Sequence, residues 1–89
     1  MSKGIHTRES LTVMAVSMRQ KLEDFVMDRG VTQQEFCSAV SNACDTIKQV
    51  APDVNNNEAP SVLIGLMRSE EARRRFFDKY DVRSAYDVA

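Results

Sequence analysis

Apolar residues recur at Leu11, Met14, Ala15, Met18, Leu22, Phe25 and Val26, the i, i+3, i+4, i+7 rhythm of a helix that turns one face to a core. The pattern predicts a helix over residues 8 to 29. Arg29 supplies a cation to its last turn, and Gly30 can take a left-handed conformation just beyond. Residues 1 to 7 have no periodicity and are expected to be a flexible N-terminus. Val13, Val16 and Met27 lie off the main stripe. This second apolar line predicts a surface for a partner or a dimer, because a helix facing a single core has no need of it.

The next helix start is sharply written. Thr32 at the N-cap and Glu35 three residues later form a capping box, with Val31 and Phe36 placed as a hydrophobic staple. Phe36, Cys37, Val40, Ala43, Cys44, Ile47 and Val50 follow at helical spacing from Gln33 until Pro52 bars continuation. Residues 52 to 58 read as a turn-rich loop. Pro60 suits a first helical turn, and Val62, Leu63, Ile64, Leu66 and Met67 make the element after it the most buried expected. Ser69 can cap a last helix with Ala72, Phe76, Phe77 and Tyr80, where Glu70 and Arg74, and Glu71 and Arg75, are spaced for i,i+4 pairs. The tail from Asp81, with Val82 and Tyr86, either packs back on the core or serves as an arm.

Composition agrees with helices alone: the 89 residues include three glycines, two prolines and 7% aromatics, with a 43% hydrophobic fraction sufficient for one small core. The expected fold is all-α, a compact bundle of four to five helices, possessing one helical domain over residues 8 to 82 and a C-terminal tail over 83 to 89. No repeat or linker divides it.

Twelve basic and 13 acidic residues leave a net charge of −1, so no global field draws in nucleic acid or an anionic membrane. No apolar run reaches the roughly 18 residues of a membrane span, and the first residues lack a secretory signal, which points to the cytoplasm. Cys37 and Cys44 stand seven residues apart. On one helix that is a separation of about 10 Å, too far for a disulfide, so both are expected as small buried hydrophobes.

The segment Arg29-Gly30-Val31-Thr32-Gln33-Gln34-Glu35-Phe36-Cys37-Ser38-Ala39-Val40-Ser41-Asn42-Ala43-Cys44-Asp45-Thr46-Ile47-Lys48-Gln49-Val50 resembles, without a gap, the helix-turn-helix of phage-repressor-like DNA-binding domains. The Gly-x-Thr-Gln-x-Glu opening, the small residue at Cys37 and the apolar residues at Phe36, Val40, Ile47 and Val50 carry the resemblance. The family's turn glycine and the apolar residue after it are Ser41 and Asn42 here. The resemblance implies a double-stranded DNA partner, met by Gln33, Gln34, Asn42, Asp45, Thr46, Lys48 and Gln49, whose amides and hydroxyls suit base edges and phosphates. The same apolar spacing equally fits one uninterrupted helix over 33 to 50, which contains no turn and no recognition helix.

Arg68, Arg73, Arg74, Arg75 and Lys79, beside Phe76, Phe77 and Tyr80, are a candidate patch for phosphate or an acidic partner, or else a solvated face with the phenylalanines in the core. His6 has no partner at catalytic or ligand spacing, and the methionines serve core filling or an adaptable binding face. No phosphate loop, nucleophile elbow, metal-ligand series or paired carboxylates point to an enzyme, a cofactor or a small-molecule substrate. Two functional expectations follow. One is a dimeric DNA-binding transcriptional regulator of phage or mobile-element type. The other is a small helical protein–protein interaction module, such as a phage-encoded inhibitor or adapter of a host protein.

Overall fold

The structure, a computed structural model, describes residues 6 to 86. Four helices follow one another: α1 (Arg8–Val26), α2 (Gln33–Val50), α3 (Ala59–Arg68) and α4 (Glu70–Lys79). Of the expected flexible N-terminus, residues 1 to 5 lie outside the described part, while Thr7 is ordered as the N-cap of α1. Its Oγ1 accepts from Ser10 N–H at 3.1 Å, and its own N–H donates to Ser10 Oγ at 2.8 Å.

Helix α1 stops three residues short of the expected end. Met27 is its C-cap, Asp28 takes the left-handed conformation at φ 56°, and Arg29 N–H donates back to Asp24 O at 2.7 Å. Gly30, at φ 91°, completes the reversal. Nothing lies within 4 Å of a Cβ placed on Gly30, so the constraint there is conformational rather than steric. The capping box of α2 forms as its sequence dictates: Glu35 N–H donates to Thr32 Oγ1 at 3.1 Å, and Thr32 N–H donates to Glu35 Oε1 at 2.9 Å. Accepting that bond from the Thr32 backbone holds the Glu35 carboxyl below its ordinary pKa.

From Gln33 to Val50, α2 is a single uninterrupted helix. The break at Ser41-Asn42 that a helix-turn-helix requires is not formed. Ser41 and Asn42 are weak helix formers but neither is a breaker, and the half-buried or buried residues Phe36, Val40, Ala43, Ile47 and Val50 run down one side through that position.

Leu11, Ala15 and Met18 of α1, Ala43 and Ile47 of α2, Ala51 and Val54 of the loop, Ala59, Leu63, Leu66 and Met67 of α3, Phe76 and Phe77 of α4, and Val82 form one core. Both phenylalanines of the arginine-rich helix thus belong to it. Ser69 Oγ accepts from Ala72 N–H at 3.1 Å to start α4, and Arg74–Glu70 and Arg75–Glu71 pair at 3.6 and 2.9 Å.

After α4 the chain turns back onto the start of α1, with Asp81 at φ 53° and Val82 buried. Arg8 N–H donates to Arg83 O at 3.0 Å, and Arg8 Nε donates to Val82 O at 2.6 Å. The Glu9 carboxylate accepts from Ser84 Oγ at 2.6 Å and from Ala85 N–H at 2.7 Å. Those two bonds, the serine's first, hold the Glu9 carboxyl below its ordinary pKa.

Candidate interaction surface

Helix length decides what the core can cover. At about 1.5 Å per residue, α1 and α2 are each roughly 27 Å long or slightly more, whereas the ten-residue α3 is about 15 Å. Every buried residue of α1 lies at or before Met18, and every buried residue of α2 at or after Ala43. Between them the distal half of the hairpin projects with only two layers. The Cα radius of gyration of 13.4 Å and extents of 44 × 26 × 25 Å reflect this projection, since a compact chain of this length has a radius of about 12 Å.

Along that distal half, the stripe buried at Leu11, Ala15 and Met18 continues to Leu22 and Val26, but both are exposed, Val26 to 69%. They were expected in the core and are not, because α3 and α4 end before reaching them. The second line, Val13, Val16 and Met27, is exposed as well: Val13 and Val16 lie alongside the buried Leu11, Ala15 and Met18 but face away from the core, and Met27 joins Leu22 and Val26 at the hairpin end. Phe25 and Phe36 stack there with ring centroids 4.9 Å apart, which holds α1 to α2. The same shortfall explains the cysteines: Cys44 is half-buried, its thiol pushed up by burial and then by Asp45, while Cys37, about two turns nearer the tip, is exposed rather than buried.

Of the residues assigned to DNA, Asn42, Asp45, Thr46 and Gln49 stand at i, i+3, i+4 and i+7 and so share one face of the continuous α2, while Gln33 and Lys48 lie off that face. Thr46 donates to Asn42 O at 3.1 Å, Lys48 is engaged by Asn56 Oδ1, and Gln49 Oε1 lies 2.9 Å from His6 Nε2. Gln34 and Asn42 line an open polar depression with Lys21, Thr32, Glu35 and Ser38. The arginine patch disperses. Arg73 donates to Leu66 O at 2.7 Å, Arg74 and Arg75 pair with glutamates on their own helix, and Lys79 Nζ sits 5.3 Å from the Tyr80 ring, leaving Arg68 exposed. No buried polar side chain and no cluster of three or more His, Cys, Asp or Glu suited to a metal ion occurs among the described residues. None of the described helices is long and apolar enough to cross a membrane.

No protein-family model, curated protein or solved structure matches the chain. The surface must therefore be read from its own chemistry.

What sequence reasoning missed is where the stripe ceases to be core. The signal was available in the helix lengths: a ten-residue apolar helix cannot cover two helices nearly twice as long.

Proposed function

We propose that the protein is a small helical protein–protein interaction module, acting as an inhibitor or adapter through the distal end of the α1–α2 hairpin. The observation that carries this reading is the exposure of Leu22, Val26 and Met27 at the hairpin end, past Met18, the last buried residue of α1. Single exposed apolar residues are ordinary on any surface, whereas a contiguous group beyond the reach of the core marks a place for a partner. Each of these side chains is already partly covered, so completing its burial contributes about 1 kcal/mol. That is small beside the roughly 4–15 kcal/mol that association costs. The apolar group supplies the centre of an interface and needs a polar rim to give micromolar affinity.

Support for the DNA reading is weaker. Affinity for DNA is drawn chiefly from phosphate contacts, and outward-facing α2 offers Lys48, already engaged by Asn56, alongside the acidic Glu35 and Asp45.

Immobilised protein should retain a partner in stoichiometric amount, and the double substitution Leu22→Glu/Val26→Glu should abolish retention without loss of helical circular dichroism. Retention unchanged by that substitution would refute a role for the hairpin end.

A further inference from the structure

The covered and uncovered halves of α1 are two parts of one seam. Arg8, Thr12, Ala15, Arg19, Leu22 and Val26 alternate at spacings of four and three, the rhythm of a helix that packs lengthwise on another helix. The first three positions are half-covered or buried: Arg8 lies over the Phe77 ring of α4 at 5.6 Å, Thr12 is half-buried, and Ala15 is fully buried. The last three positions are exposed.

We infer that a second copy of the same chain covers them, with α1 packed antiparallel on α1 about a two-fold axis at the level of residue 21, on the side of α1 facing away from α2. This rests on the reading of the hairpin end as an interface and names its occupant.

The argument is self-complementarity, which a two-fold contact demands because one patch must satisfy itself. An antiparallel pairing centred on position 21 sets Val16 opposite Val26 of the second copy and Arg19 opposite Glu23 of the second copy, each twice by symmetry. Apolar thus meets apolar, and cation meets anion. Arg19 and Glu23 are both exposed and have not satisfied each other at home: among the described residues the ion pairs are Arg8–Asp78, Arg29–Asp24, Arg74–Glu70 and Arg75–Glu71, and Glu23 has only a long 3.4 Å bond from Gln20. Within one helix, arginine four residues before glutamate is the less favourable order; across the two-fold the order has no such penalty. Leu22 falls next to the axis and meets its own counterpart.

The limited apolar area makes the dimer concentration-dependent, so the test is sedimentation equilibrium of the full chain from about 10 µM to about 1 mM. The weight-average mass should rise from one chain toward two across that range. Leu22→Glu/Val26→Glu should stay at one chain throughout. Arg19→Glu and Glu23→Arg should each weaken the dimer at least about fivefold by opposing like charges, while the two together, which exchange the signs within each copy, should restore it. All these positions are exposed, and circular dichroism confirms that the variants fold.

A mass of one chain at every concentration overturns the inference. So does a dimer indifferent to Leu22→Glu/Val26→Glu, or a double charge exchange that fails to restore what the single changes lose. If the chain stays monomeric yet Leu22→Glu/Val26→Glu releases a retained protein, the interface reading stands and only self-association falls.

Discussion

Leu11 and Leu22 are the same residue type on the same stripe of α1, yet Leu11 is 2% exposed and Leu22 37%. Their substitution separates core from surface. Leu11→Ala should cost about 2–5 kcal/mol, the range for a leucine removed from a packed core, whereas Leu22→Ala should cost below about 1 kcal/mol, both read from chemical denaturation. Equal losses would mean that Leu22 is covered. A second residue-scale prediction concerns the tail. The folded pKa of Glu9 is depressed by Ser84 and Ala85, so the tail contact contributes in full above the unfolded carboxyl pKa of about 4.3 and is lost as pH falls through the folded value. The Ala85 amide resonance should move toward its unbonded position in that acidic window, and Glu9→Gln should show no such movement. An Ala85 amide that titrates equally in both proteins would contradict the contact between Glu9 and the tail.

At the scale of elements, much of the architecture was readable in the sequence, because its signals are local. The Thr32 and Glu35 capping box, the Ser69 cap, the stop before Pro52 and the two i,i+4 pairs of α4 all depend on residues a few positions apart. Three features were not readable. Thr7 and Ser10 form the capping box of α1 with a serine where glutamate or glutamine is usual. The end of α1 moved because an aspartate adopted the left-handed conformation ahead of the glycine. Whether 33 to 50 held a turn was also beyond local signals, since both arrangements use the same apolar positions. The continuity of α2 predicts helical backbone shifts through Ser41 and Asn42. It further predicts amide exchange that is slowest from Ala43 to Val50, beneath α3, and faster from Gln33 to Ser41, where only α1 supports the helix. Non-helical shifts at Ser41-Asn42 would restore a two-helix motif.

For the whole molecule, the feature missed was reach: periodicity tells which face of a helix is apolar, while the relative lengths of the helices tell how far along that face the core extends. This is why Leu22, Val26 and Cys37 read as core and stand exposed. A net charge of −1 and dispersed, paired arginines predict no saturable binding to mixed-sequence duplex DNA at low salt. Binding that weakened steeply with added salt would contradict this. The most direct test of the uncovered hairpin end is methyl NMR with a soluble paramagnetic probe. In dilute solution, the methyl groups of Val16, Leu22, Val26 and Met27 should relax strongly while those of Leu11 and Ile47 do not, and raising the protein concentration should shield only the first group. Leu22 and Val26 methyls shielded even in dilute solution would place them in the core and contradict the account.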